Sequence, residues 1–301
     1  MRTLSTYRMF VSSILLLGSL GCASVPQTRS LEMDRGDLPE THQILGVPLI
    51  EQTENYCGPA SLAMLARFTK IEVSTDALGA MMFTPAKKGT LQLDFIGAAR
   101  RMGLLTLPIT NLRNLLTEIT ENRPVAVLLN FGSTRNPQWH YAVVTGFHIS
   151  DERIILHSGE KEPLNMRMSQ FERSWQKADY WGLLALNPPE LPKTVPIEEI
   201  VKAAAILERI PKTKEANVAY DAVLKRWPNQ LGALFGLGNT FAQLGDLEQS
   251  ARAFERASEL KPDSAAIWNN LAQIYLRQNR KKNAAIALKK AKQLENFSTL
   301  K

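Results

Sequence analysis

The sequence is poor in the residues that form disulfides and bind metals. Its 301 residues include two cysteines, Cys22 and Cys57, and four histidines. Two cysteines permit at most one disulfide, and no Cys, His or carboxylate cluster has the spacing of a metal site. This scarcity excludes a disulfide-rich fold, and we predict neither a bound metal nor another cofactor.

The chain also lacks a hydrophobic run long enough to cross a bilayer. Its first apolar stretch, Met9–Leu20, spans 12 residues, whereas a spanning helix needs about 20. Arg2 and Arg8 precede this stretch and Cys22 follows it closely, which is typical of a signal peptide. We therefore predict that residues 1–21 are removed during export.

A strong excess of either charge is absent as well. The formal net charge is +7 and falls to +5 when Arg2 and Arg8 leave with the signal peptide. So mild a positive charge, in an exported protein, does not indicate nucleic-acid binding. We predict no nucleic-acid partner.

What is present indicates two domains. The chain is 45% apolar, which at this length is enough for two separate cores. A proline-rich passage, residues 188–196, is predicted to be a linker. Helical and strand patterns alternate before it, and almost only helical patterns follow it. Residues 41–187 are predicted to form an α+β domain with an antiparallel sheet, and residues 197–301 an all-α domain. Residues 22–40, rich in polar residues, proline and glycine, are predicted to be a tether.

In the first domain the pattern places helices early and strands late. After a short apolar run at Val47–Ile50, helices are predicted from about residue 59, over about 91–102 and over about 112–121. Apolar runs typical of strands follow at Val125–Leu129, Tyr141–Val144, Ile154–Leu156 and Trp181–Ala185.

The second domain repeats itself with a period of 34 residues. Residues of similar character recur at this spacing: Pro228 and Pro262, Leu234 and Trp268, Leu237 and Leu271, Gly238 and Ala272, Phe241 and Tyr275, and Ala257 and Ala291. This is the spacing of tetratricopeptide repeats, in which small residues let two helices approach closely. We predict three repeats, starting near residues 197, 231 and 265, that offer a surface to a protein partner.

Cys57 has the sequence context of a reactive thiol. It stands before a predicted helix in which Pro59 suits the first turn, where its missing N–H costs nothing. Unpaired N–H groups and the helix dipole at such a position favour a thiolate and can lower a thiol pKa from ~8.5 to roughly 3.5–7.5. We predict that Cys57 is a nucleophile with a lowered pKa. Taken alone, a cysteine of this kind is more often a buried structural thiol, and it is Gln52, Gly58-Pro59 and His140 that favour the nucleophile.

Thiolate chemistry also needs a base and a donor for the developing oxyanion. His140 has the strongest setting of the four histidines because it opens a predicted strand. Gln52, five residues before Cys57, can offer its side-chain amide to an oxyanion together with the Cys57 backbone N–H. Histidine packed at a strand edge and glutamine solvated in a loop are the alternative interpretations.

These motifs carry a family resemblance. Residues 44–187 resemble the bacteriocin-processing, double-glycine type of papain-fold cysteine peptidase, with Gln52, then Cys57-Gly58-Pro59-Ala60, then His140 followed by a hydrophobic strand. Together with the appended repeats, they resemble a bacterial lipoprotein subgroup of such peptidases. The resemblance implies Cys57 as nucleophile, His140 as general base and acid, Gln52 as oxyanion donor, and a peptide or protein substrate.

The third catalytic position departs from the family. The group usually carries an Asp on the strand after the histidine strand, where the carboxylate orients the imidazole. Here that strand reads Arg153 to Gly159, and Ser158 is the nearest polar candidate. A hydroxyl is a weaker orienting group than a carboxylate.

The N-terminal segment carries a second resemblance. Gly18–Cys22 is similar to a bacterial lipoprotein cleavage box, although Ser19 stands where leucine is usual. The resemblance implies a diacylglycerol on Cys22, and Ala23 favours the outer membrane over inner-membrane retention. We predict a lipoprotein anchored in the outer membrane and facing the periplasm. A conventional signal peptide cut near Ala23 is the alternative.

Three functions therefore remain open. The first is an exported cysteine peptidase that forms a Cys57 thioester. The second is an inactive papain-like module that binds peptides within a repeat-based envelope assembly protein, which the missing Asp favours. The third is a transferase that passes the same thioester to an amine instead of water.

Overall fold

A computed structural model describes residues 25–298. The first domain contains six helices, α1 (Pro26–Met33), α2 (Cys57–Phe68), α3 (Thr75–Met82), α4 (Gln92–Arg101), α5 (Leu112–Thr120) and α6 (Met168–Gln176). Its strands are β1 (Thr41–Gln43), β2 (Phe83–Thr84), β3 (Gly89–Thr90), β4 (Leu105–Ile109), β5 (Val125–Asn130), β6 (Trp139–His148), β7 (Arg153–His157), β8 (Leu164–Arg167) and β9 (Gly182–Leu186). The predicted α+β class is confirmed.

Seven of these strands form one antiparallel sheet. Its order is β4-β9-β5-β6-β7-β8, and β1 pairs with the far end of β6. Strands β5 and β9 are buried on both faces. Helices α2 and α5 pack against β5 and β6, and α6 packs against β5. The long strand β6 lies at the centre, pairs with three neighbours and carries His140.

The remaining two strands form a small hairpin. Strand β2 pairs with β3 through a 3₁₀ turn at Pro85–Lys87. Tyr56 stacks on Phe83 with ring centroids 5.4 Å apart, and the Tyr141 hydroxyl donates to the Thr90 carbonyl at 3.3 Å. These contacts hold the hairpin beside the start of α2.

The second domain consists of helix pairs, as the 34-residue period predicts. Its helices are α7 (Ile197–Arg209), α8 (Thr213–Arg226), α9 (Leu231–Leu244), α10 (Leu247–Leu260), α11 (Ala265–Arg277) and α12 (Lys281–Ser298). Small residues make the close approaches: a Cβ on Gly236 would lie 2.2 Å from the Tyr220 ring, and one on Gly238 2.7 Å from the Phe254 ring.

The proline-rich passage 188–196 is fixed to the first domain. The carboxylate of Glu118 in α5 is fully buried. It accepts hydrogen bonds from the backbone N–H groups of Lys193 and Thr194 and from the Thr194 hydroxyl, at 2.6–2.8 Å. Arg123 balances its charge at 3.0 Å. Helix α7 then packs against β4, so one continuous core joins both domains.

Part of the segment predicted as a tether is folded onto the first domain. Helix α1 lies within it, and the Glu172 carboxylate accepts hydrogen bonds from the N–H groups of Gln27 and Thr28 at the start of this helix. Leu31 is buried in the core. The polar composition concealed this docking, because only two leucines, Leu31 and Leu38, enter the core and the other anchor is the distant Glu172. Cys22 and the predicted signal peptide lie outside the described residues.

Most predicted elements of the first domain appear near their expected places. Val47–Ile50, in contrast, forms no strand, since Pro48 lacks the N–H that a ladder needs. Across residues 25–298, none of the helices is both long enough and apolar enough to span a membrane.

Candidate active site

Cys57 is the first residue of α2. Nine consecutive residues after it, Gly58–Ala66, are buried, so the helix enters the core directly behind the thiol. Asn55, two residues earlier, has a left-handed backbone with φ of 66°, which asparagine tolerates better than most residues. This turn directs the chain into the helix and leaves Cys57 half-buried and unpaired.

Gly58 allows the hairpin to lie against the start of α2. A Cβ at this position would lie 2.5 Å from the Thr90 hydroxyl oxygen and 2.6 Å from its Cβ. No larger residue fits here without displacing the hairpin. Close packing against Thr90 therefore explains why glycine stands in the Cys-Gly-Pro motif, and the hairpin lies directly beside the thiol.

His140 lies on β6, where it pairs with Leu129 of β5. Its Nε2 is 2.7 Å from the Ser158 hydroxyl oxygen, just beyond the end of β7. The Phe131 ring lies over the imidazole with centroids 5.9 Å apart. Because Ser158 engages Nε2, Nδ1 is the ring nitrogen left for proton transfer with the thiol.

Gln52 reaches the same region from the segment before α2. Its backbone N–H donates to the Gly159 carbonyl at 3.1 Å, and its side chain lies so close to Gly159 that a Cβ there would be 2.4 Å from Cδ. Gly159 has φ of 83°. The side-chain oxygen of Gln52 is buried and makes no hydrogen bond within the described part of the chain.

Cys57, His140 and Gln52 line one cavity of about 1010 Å³. The other residues that line this cavity belong to the turn before α2, the hairpin, the start of α4, the sheet and the turn after α6. They are Asn55, Lys87, Lys88, Gly89, Thr90, Leu91, Gln92, Leu93, Leu128, Gln138, Trp139, Tyr141, Ala178 and Asp179. Ser158 does not line this cavity and reaches it only through His140.

Burial determines the protonation of the pair in the free protein. Burial raises the pKa of the Cys57 thiol above its ordinary value of 9.0, and backbone N–H groups of Tyr141, Gly58 and Cys57 oppose this rise only in part. Burial also lowers the pKa of His140 below 6.5, opposed by hydrogen bonding to Ser158 and by the charge of Glu160. The expected lowering of the Cys57 pKa is therefore not found, because loss of hydration outweighs the helix N-terminus.

Sequence reasoning did not single out the hairpin or Asn55 as parts of the site. The contact between Gly58 and Thr90 joins positions 32 residues apart, and no sequence motif in the hairpin predicts it. The remaining three histidines lie elsewhere: His157 is buried with Nδ1 3.3 Å from the Pro48 carbonyl, His42 faces Asn122, and His148 ends β6. Among residues 25–298, no three His, Cys, Asp or Glu side chains are grouped to hold a metal.

Comparison with known proteins assigns both domains. Residues 44–182 match the model of the Peptidase_C39 like family. Residues 212–257 and 237–298 match the tetratricopeptide repeat. The chain therefore carries a C39-like domain followed by tetratricopeptide repeats, as the sequence indicated.

Individual relatives match over shorter stretches. FK506-binding protein-like of Mus musculus is 32% identical over 105 residues, which are 35% of this chain and 29% of the relative. A tetratricopeptide repeat and J domain-containing co-chaperone of Fusarium oxysporum f. sp. lycopersici is 32% identical over 30% of this chain and 17% of its own length. The chain thus spans less than a third of either curated relative.

Similar solved structures include MamA proteins. MamA from Desulfovibrio magneticus RS-1, from residue 41 to the end, is 25% identical over 34% of this chain and 57% of its own, with a TM-score of 0.32. A double mutant of MamA RS-1 is 24% identical over 35% of this chain and 59% of its own, with a TM-score of 0.34.

Proposed function

We propose, from the premise that a Peptidase_C39-like domain precedes tetratricopeptide repeats in this chain, that the protein is a cysteine peptidase that cleaves peptide or isopeptide bonds. The observation that carries the proposal is the cavity that Cys57, His140 and Gln52 share. Hydrogen bonding of His140 to Ser158 supports an oriented base beside the thiol.

The protonation states support a concerted first step. Burial favours a protonated thiol and a neutral imidazole in the free protein, so His140 Nδ1 takes the proton as Cys57 Sγ attacks the scissile carbonyl carbon. The carbonyl oxygen becomes an oxyanion and accepts hydrogen bonds from the Gln52 amide and the Cys57 backbone N–H. His140 returns its proton to the amine nitrogen as the C–N bond breaks, which leaves a thioester on Cys57.

Water completes the cycle. His140 accepts a proton from water as the water oxygen attacks the thioester carbonyl carbon. The C–S bond breaks, the thiol regains its proton from His140, and a carboxylic acid leaves. If an amine attacks in place of water, the same steps make an amide and the protein is a transferase.

The test is cleavage of a complex peptide mixture, with new N-termini identified by mass spectrometry. We expect cleavage by the wild type, none by Cys57→Ala, and a loss of about 10²–10⁴-fold in rate for His140→Ala. Cleavage that persists unchanged in Cys57→Ala would contradict the proposal. Amine-linked products in place of free acids would identify the transferase.

A second function has its own support. Ser158 stands where the resemblance leads one to expect a carboxylate, and burial raises the Cys57 pKa instead of lowering it. Both favour an inactive module that binds peptides. In that case the wild type and Cys57→Ala bind the same peptides with equal affinity, and neither cleaves them.

We further propose that the protein is a lipoprotein, anchored through Cys22 in the outer membrane and facing the periplasm, whose repeats hold a protein partner. The support is the basic and apolar N-terminal sequence that ends at Cys22. Cys22→Ala is expected to abolish labelling with a fatty-acid analogue and release the protein from membranes. Unchanged labelling of Cys22→Ala would overturn the anchor.

A further inference from the structure

The cavity at Cys57 continues into a second one. Gln52 and Asn55 line both the cavity that contains Cys57 and an adjoining cavity of about 670 Å³. The second cavity runs between the segment 51–55 and the turn 159–162. Together the two form a trough with Gln52 and Asn55 in the wall they share, and Cys57 lines the first of them. A polypeptide can therefore extend from the Cys57 cavity into the second one.

One end of the trough is acidic. The second cavity is lined by Glu51, Glu54, Glu160 and Glu162, with Lys161 as its only cation. All four glutamates are exposed, and none of them forms an ion pair within the described residues. In a chain whose net charge is +7, this concentration of unpaired carboxylates produces a local negative potential beside the site.

The other end is basic and apolar. Lys87 and Lys88 line the Cys57 cavity from the hairpin, and neither belongs to an ion pair among residues 25–298. Leu93 and Trp139 share this cavity and expose 81% and 51% of their surface. Asp179 is the single carboxylate in its lining. Exposed apolar side chains at a cavity wall favour an apolar ligand group.

The polar atoms along the wall also lack partners inside the protein. The side-chain oxygen of Gln52 and the hydroxyl of Thr90 are both buried and make no hydrogen bond with another described residue. Both residues line the Cys57 cavity. Buried polar groups are nearly always paired, so the wall of this cavity keeps hydrogen-bonding capacity that the described protein does not use.

We infer that the trough binds an extended polypeptide with apolar and acidic side chains on one side of the scissile bond and basic side chains on the other. This inference rests on the proposed function, because it gives the substrate class of that same site. Lys87, Lys88, Leu93 and Trp139 bind the first half, and the glutamates at 51, 54, 160 and 162 bind the second. The charges at the two ends therefore set the direction in which the peptide lies.

The test uses two peptides of identical composition, one with an acidic-apolar half followed by a basic half and the other with the halves in reverse order. Wild-type protein is expected to cleave one order at least about fivefold faster, because rim charges of this kind contribute a few tenths to one kcal/mol each. In a charge-exchanged protein, Lys87→Glu, Lys88→Glu, Glu160→Lys and Glu162→Lys, the preference should move to the other order. Lys281→Glu and Lys282→Glu in α12 form the matched control and should leave the preference unchanged.

Binding to Cys57→Ala separates this inference from the proposed function. Fluorescence anisotropy should show the same order preference for Cys57→Ala, weakening as salt is added. If this preference is present and the wild type does not cleave, the inferred direction of peptide binding in the trough is supported and the peptidase proposal fails. If the two peptides bind equally, or the charge exchange leaves the preference in place, the trough is overturned even where cleavage occurs.

Discussion

At the scale of single residues, the hydroxyl of Ser158 contacts the imidazole of His140, where the family resemblance leads one to expect a carboxylate. Its 2.7 Å contact to His140 Nε2 fixes the ring but adds no charge. Burial therefore keeps the pKa of His140 below 6.5, and the bond to Ser158 offsets this lowering only in part.

We predict that Ser158→Ala lowers the cleavage rate about three- to tenfold, since one neutral hydrogen bond contributes about 0.5–1.5 kcal/mol. Ser158→Asp should keep the orientation and raise the His140 pKa, because a carboxylate favours the imidazolium. The acid limb of the pH–rate profile then moves to higher pH. Steady-state kinetics across pH measures both effects, and equal rates for wild type and Ser158→Ala would argue against an orienting role.

Buried ionisable residues also predict how stability depends on pH. Burial lowers the pKa of His140 and His157 below 6.5, so the unfolded chain binds more protons than the folded one in acid. The free energy of unfolding should therefore fall as the pH drops below about 6.5. The Cys57 thiol has the opposite sign: its raised pKa makes stability decline as the pH rises through 9.0.

Urea unfolding at a series of pH values measures this dependence. His157→Gln, which still donates to the Pro48 carbonyl, should remove part of the acid loss, and Cys57→Ala should remove part of the alkaline loss. A His157→Gln protein with the acid slope of the wild type would show that the slope arises elsewhere.

The sequence was informative about Cys57, His140, Gln52 and Ser158 because they follow a family order along the chain, and the structure brings all four to one region. Their roles stay predictions. The thiol pKa could not be predicted, because it depends on burial by the hairpin and β6. Those contacts form between distant segments and leave no local pattern.

At the scale of elements, the four strands β5, β6, β7 and β9, the repeat helices and α2 were predictable from the sequence pattern, whereas β1, β4 and β8 were not. Helices α1, α3 and α6 were not predictable either. Helix α3 contains Gly79, which lowers helix propensity, and α6 is largely polar with Phe171 and Trp175 as its buried anchors. Tertiary packing stabilises these helices, so their sequences alone are poor evidence.

The buried carboxylate of Glu118 provides the prediction at this scale. Glu118→Gln should lower the free energy of unfolding by about 3–5 kcal/mol, because it leaves the charge of Arg123 without its partner and weakens the bonds to residues 193 and 194. Glu121→Gln is the matched control. Glu121 directly follows the same helix, its carboxylate reaches Lys193 at 3.0 Å in an exposed pair, and its loss should cost at most about 1 kcal/mol.

Thermal unfolding and limited proteolysis between residues 187 and 197 measure the effect of these two variants. We expect faster cleavage of the passage in Glu118→Gln only. Equal protection in both variants would mean that the buried carboxylate does not fix the passage.

At the scale of the whole molecule, the two domains share a core. Ile200, Ala204 and Leu207 of α7 are fully buried, and this helix packs against β4 of the sheet. The first helix of the repeats is therefore also a covering layer of the first domain. The sequence predicted a boundary at the prolines but could not reveal that packing continues across it.

We predict that a chain ending at residue 196 is less stable by several kcal/mol, since its sheet loses apolar cover at about 25 cal/mol per Å². A chain ending at residue 264 keeps α7–α10 and should retain the Cys57 alkylation rate of the full protein and the stability of the first domain, although its last repeat loses the apolar cover of α11 and α12. Thermal unfolding and alkylation of both chains check this. Identical melting of the 196-residue form and the full protein would show that the α7 contact contributes nothing.

The fixed passage at 188–196 also has a kinetic consequence. A protein held by the repeats meets Cys57 as part of the same complex, so its local concentration near the thiol depends on how far its own chain reaches, not on its abundance in solution. Short flexible connections give effective concentrations of about millimolar, and a stiff one sharpens the dependence on reach. If the proposed function holds, a partner of matching reach is processed at a lower abundance than a free peptide of the same sequence needs.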